Sequence, residues 1–195
     1  YDAQNEVWYE TINDSLQFYK NGKNNLIQNT QVEVELTKRL TPFIRIHFGL
    51  NFEHGQLDTS VPANDYFINN QRFQRKSGLG FKIETDKRDN IFYPIKGGFV
   101  SLGVGGELWQ NTSTESNIFI EAKAQRFDQL TRKLFSAISF YTQNNSNLTL
   151  PYSDRKLFGY DEIIRGFEHY VVDGSFGWKG NLALRYQLVK SDVNL

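Results

Sequence analysis

Runs of about ten residues in which every second side chain is apolar recur along this 195-residue chain. Val32, Val34, Leu36 and Leu40 alternate with Glu33, Glu35, Thr37 and Arg39. Ile44, Ile46, Phe48, Leu50 and Phe52 alternate with Arg45, His47, Asn51 and Glu53. Val100, Leu102, Val104 and Leu108 do the same, as do Leu182, Leu184, Tyr186 and Leu188. Successive side chains of a strand point to opposite faces, so this period makes one apolar and one polar face; no sustained helical period competes with it. The reading gives about eight strands, at 4–12, 31–40, 43–53, 77–88, 98–109, 117–128, 133–144 and 178–190. Ten residues suffice for a tilted strand to cross a hydrocarbon core of about 30 Å. Strands of ordinary sheets run to about five or six.

The connections sort by side. Around 41–42, 89–97 and 129–132 they are short, with Pro42, Pro94 and Gly97 supplying turn chemistry. Around 13–30, 54–76, 110–116 and 145–177 they are longer and rich in Asn, Ser, Asp and Gln. Short turns at one end and long polar loops at the other characterise transmembrane β-barrels. A mean hydropathy of −0.53 and the lack of any apolar run near 18 residues argue against a membrane helix but not against such a wall, where only alternate residues meet lipid. Trp8, Tyr9, Phe43, Phe92, Tyr93, Trp109, Phe127, Phe135 and Tyr141 fall near strand ends, as interfacial girdles would. The fold class expected is therefore all-β, an antiparallel transmembrane barrel.

The charge balance, 22 basic against 22 acidic residues, gives no large field that would draw nucleic acid or anionic lipid. Absence of cysteine removes disulfides and thiolate metal sites. His47, His54 and His169 are too scattered for a metal centre, and no nucleophile–base spacing stands out, so neither catalytic residues nor cofactors are assigned. Gly78, Gly80, Gly103, Gly105 and Gly106 lack the Lys-Ser/Thr of a phosphate loop and read as strand bends or inward crowding. One loop element is unusual. Ile164-Arg165-Gly166-Phe167 sits among Phe158, Gly159, Tyr160 and Ile163, so its tip reads as tucked inward, a plug inside the barrel. Arg165 would need carboxylates, and Glu84, Glu107 and Glu121 share the predicted inner faces.

Asp86-Lys87-Arg88-Asp89-Asn90 followed by Tyr93-Pro94-Ile95-Lys96-Gly97 resembles a turn of the BamA/TamA superfamily of bacterial surface-antigen barrels. Leu157-Phe158-Gly159-Tyr160 leading to Ile164-Arg165-Gly166-Phe167 resembles that family's sixth extracellular loop, and Gly180–Tyr186 the strand after it. The resemblance implies a sixteen-stranded barrel of which residues 1–195 are a partial barrel domain, strands five to twelve. It implies an outer-membrane location, with lipids, client outer-membrane proteins and accessory lipoproteins as partners. The implied function is assembly or translocation of other proteins without chemistry, with Arg165, Gly166 and Phe167 as a structural lock. Alternatives are a barrel fused to a patatin-like lipase or a metallophosphoesterase, a passive pore, and eight strands closing a small barrel by themselves.

Overall fold

The computed structural model describes residues 2–4, 6–12, 15–20, 25–61, 66–110, 114–147, 150–154, 156–159 and 171–188. Strands β1 (Asp2–Gln4), β2 (Glu6–Ile12), β3 (Ser15–Lys20), β4 (Ile27–Arg39), β5 (Ile44–Leu57) and β6 (Phe73–Asp86) come first. They are followed by β7 (Gly97–Gln110), β8 (Thr114–Gln129), β9 (Leu134–Asn145), β10 (Lys156–Gly159), β11 (Val171–Asp173) and β12 (Phe176–Tyr186). One antiparallel eight-stranded sheet runs β1-β4-β5-β6-β7-β8-β9-β12, and β2-β3 and β10-β11 are separate two-stranded ladders. The segment read as a wall strand at 4–12 is thus corrected: it contributes only Gln4 to the sheet, and Glu6–Ile12 folds back on β3. Among the described residues β1 and β12 do not pair, so the eight strands do not close a barrel on themselves.

The register makes the two faces. Across β4 to β8, Leu36, Phe48, Phe81, Val104 and Ile120 stand in one row, and Glu35, Gly49, Gly80, Gly105 and Phe119 in the next. The apolar rows are bare: Leu102, Leu182 and Leu184 are 53%, 72% and 65% exposed, values that a second protein layer would not leave. The other face carries the polar and charged side chains. That is the inverse of a soluble fold and the arrangement of a membrane wall.

Two expectations need correction. Trp109 and Phe127 are buried on the inner face, and Tyr141 shares the inner rows with Lys123 and Lys179, so none of the three belongs to a lipid-facing girdle. Parity decides this, since Leu108 points outward and its neighbour must point in. The outward rows carry Phe48, Phe52, Phe81, Phe140, Phe176, Trp178 and Tyr186, with Phe92 exposed in the turn, while Tyr93 turns inward under Arg185. The loop sorting also has an exception on each side. Only residues 111–113 separate β7 from β8 at the loop end, whereas the β6–β7 connection at the turn end spans 87–96.

The compact apolar core lies above the sheet, at the loop end. Val7, Leu26, Leu57, Val61, Tyr66, Phe67 and Tyr152 pack together from the β2-β3 hairpin, the β5–β6 loop and the segment after β9. Tyr66 meets Phe67 edge-on at 4.9 Å, and burial, aided by the nearby Asp154 carboxylate, pushes the Tyr66 phenol up.

Candidate functional site

The inner wall, its turn and its mouth hold the residues singled out by the sequence. At the turn, Asp86 receives the Arg88 guanidinium at 2.9 and 2.7 Å and the Arg88 amide at 3.1 Å. Asp89 Oδ1 accepts three amides, those of Asn90, Ile95 and Lys96. Partial desolvation raises the Asp89 carboxyl, but these amides outweigh it and hold the group below the usual carboxylate range. Pro94 is buried, and its carbonyl accepts Arg185 Nη1 from β12 at 3.2 Å. Gly97 takes φ +97°, where a Cβ would collide with the Lys87 carbonyl oxygen. The motif is therefore a clamp whose carboxylates are taken up mainly by its own backbone and arginine, with Arg45 3.8 Å from Asp86 and Arg185 tying the turn to β12.

Glu84, Glu107 and Glu121 all lie on the inner face, each in a different environment. Arg45 Nε reaches Glu84 Oε1 at 2.7 Å, and His47 Nε2 stands 3.3 Å from the same oxygen without hydrogen-bond geometry. His47 Nδ1 also lies 2.8 Å from Glu35. Glu107 is 3.7 Å from Lys76. No described cation pairs with Glu121, whose side chain lies over Gly103. Between these groups the wall is thinned by glycine: Gly49, Gly80 and Gly105 share one row, and the Phe119 ring fills the space over Gly105. Crowding, rather than phosphate binding, accounts for that glycine.

Residues that sequence reading missed occupy the mouth. Lys76 Nζ is 2.7 Å from Asp154, 3.2 Å from Glu53 and 3.7 Å from Glu107, with its side chain only 10% exposed. Asp154, in a single 3₁₀ turn (Tyr152–Asp154), also accepts Trp109 Nε1 at 3.1 Å and Gln74 Nε2 at 3.2 Å. The amide of Ser153 donates to the Tyr66 carbonyl. A loop is thus pinned to the wall by a carboxylate that fits four donors from β6, β7 and its own turn, Ser153 Oγ being the fourth. Trp109 was expected at an interfacial rim and Lys76 lay outside the expected strand, and nothing in the sequence paired either with a residue 45 or more positions away.

The β10-β11 ladder joins Gly159 to Val171 and so brackets the segment carrying Ile164, Arg165, Gly166 and Phe167. Those four residues lie outside the described ones.

A wall bare and apolar outside, charged inside, with loops capping one mouth, defines an outer-membrane β-barrel. The family model described as the Omp85 superfamily domain matches residues 4–190, and the chain belongs to that family. Its members work in general in the assembly and translocation of outer-membrane proteins. No curated protein matches the chain.

Proposed function

We propose that this chain forms strands five to twelve of a sixteen-stranded barrel that inserts or exports other outer-membrane proteins. The work is mechanical: opening of the barrel seam and thinning of adjacent lipid, with no catalytic group. Client barrels, accessory lipoproteins and outer-membrane lipids are its partners. What supports the reading is a family match running through the whole two-faced wall, including the clamp at 86–97 and the ladder that flanks the Arg165 segment. Glu84 and Glu107 each have a cation of the wall beside them, so Glu121 is the carboxylate we assign to Arg165.

Depletion of the full-length protein tests the main claim. Other outer-membrane barrels are expected to fall in abundance; unchanged levels would leave a passive pore or an anchor for another domain. The lock is tested separately. Arg165→Ala and Glu121→Gln are each expected to lower the temperature at which the barrel loses its heat-modifiable gel migration, with the double variant no worse than either single one. Additive losses would separate the two residues.

A further inference from the structure

The two ends of the sheet differ in charge although the chain as a whole is neutral. Residues 37–46, 83–99, 125–136 and 184–188, which make up the turn end, hold ten basic and four acidic side chains. The β4–β5 turn holds three of the basic side chains and no acidic one, but the cations that flank an open hollow lie beside two other turns. A hollow there is lined by Lys96, Arg126 and Arg132 together with Asp128 and Thr131. Arg126 shares the outward row with Gly98 and Ile138, and its side chain is 68% exposed. Asp128 accepts the Arg126 guanidinium at 2.8 to 3.0 Å, so the carboxylate is spent on one of the three cations. Lys96 and Arg132 have no ion pair among the described residues.

Such a cluster on a wet surface would be ordinary. Here it adjoins the lipid-facing rows: Leu130 and Ile138 are each 53% exposed beside it. Farther along β8 the outward residues are Ala124 and Ala122, set between Val100 and Leu102 on β7 and Phe140 on β9. On the other flank the turn presents Phe92, 97% exposed, an aromatic of the kind that lines a barrel's interface, while Tyr93 turns its ring under Arg185 on the inner face. A ligand fitting this surface carries an anion at one end and hydrocarbon at the other. We infer that the hollow between the turns 87–96 and 130–133 binds the headgroup of an anionic phospholipid from the turn-side leaflet, its acyl chains lying along the outward face of β8. An acidic protein surface would match the cations but not the bare apolar rows next to them.

A basic side chain near an anionic lipid surface favours it by roughly fivefold. The full-length protein should therefore keep phosphatidylglycerol in preference to phosphatidylethanolamine when reconstituted in nanodiscs of equal content and re-extracted for lipid mass spectrometry. Lys96→Glu with Arg132→Glu should reduce that preference by about tenfold or more while heat-modifiable migration stays normal. Lys38→Glu, at the turn end of β4 and far along the sheet, should lower it much less than the double reversal does. Equal retention of the two lipids by the unaltered protein would overturn the inference. So would a preference that survives the double reversal, or that Lys38→Glu lowers as strongly. A photo-crosslinker at residue 96 that captures protein and no lipid would assign the cations to a protein partner instead. These readouts do not depend on whether the barrel assembles other proteins.

Discussion

At the scale of single residues, the wall separates positions that look alike in the sequence. Lys76 is an ammonium enclosed by three carboxylates, and removing it would leave Glu53, Glu107 and Asp154 facing one another at the mouth. Breaking a largely buried ion pair from one side typically costs about 3–5 kcal/mol. Lys76→Met should therefore lower the heat-modifiability midpoint and open the 150–154 segment to protease, whereas Asp154→Asn, which keeps an acceptor for Trp109, should do less. Glycines divide in the same manner. A Cβ on Gly105 would fall against the Phe119 ring and 2.9 Å from the Leu79 carbonyl oxygen; one on Gly49 would meet nothing within 4 Å. Gly105→Ala is expected to destabilise the barrel and Gly49→Ala to be neutral or mildly stabilising, the latter through reduced freedom of the unfolded chain. Equal effects in a denaturant titration would show that inner-face crowding is not what selects glycine here.

At the scale of elements, the turn clamp gives a pH-dependent expectation. The folded Asp89 carboxyl lies below its unfolded value, near 3.9, so its contribution is complete above that value and disappears as pH falls through the folded one. Proteolytic clipping between 87 and 96 should stay constant from pH 7 to 5 and rise only in acid below about 4; a rise beginning near pH 6 would point to a histidine instead. The same clamp shows what the sequence made legible. Most strand ends at the turn side were readable to within one or two residues, because Pro42, Pro94 and Gly97 stop the ladder where the alternation stops, but β12 ends at Tyr186, four residues before the reading. At the loop end the readings of four strands fell three or four residues short, β4 starting at Ile27, β5 continuing to Leu57, β6 beginning at Phe73 and β8 at Thr114, while β7, β9 and β12 differ by one or two. The alternating signal comes from lipid and ends with it, while the backbone ladder continues into water with polar side chains on both faces. The β2-β3 hairpin was hidden for the same reason, since Trp8 and Tyr9 suggested a membrane rim. The mouth network was invisible because Asp154 is one carboxylate in a polar loop, and its value comes only from what β6 and β7 bring within reach.

At the scale of the molecule, the fold depends on which face of the sheet meets hydrocarbon, and adjacent residues of one strand can measure it. Leu102 and Ser101 are neighbours in the middle of β7, backed on β6 by Ile83 and Glu84 and on β8 by Ala122 and Lys123. Leu102 points outward and is 53% exposed with no protein over it among the described residues, so in the membrane its surroundings are acyl chains. An arginine at the mid-depth of a barrel's lipid face costs about 2–4 kcal/mol, because the guanidinium must leave water or drag water with it. Ser101 instead points toward Glu84 and the wet interior, where a second cation beside the Arg45–Glu84 pair remains hydrated. Leu102→Arg should therefore weaken folding of the full-length protein into lipid vesicles by that amount, and Ser101→Arg by less than about 1 kcal/mol. The contrast should shrink in a detergent micelle, which lets water reach the outer face more readily. A denaturant titration in vesicles that gives the two variants equal losses, or reverses their order, would mean that the polar face rather than the apolar one meets the bilayer, and the inner networks of Arg45, Lys76 and Glu121 would then have to be reassigned.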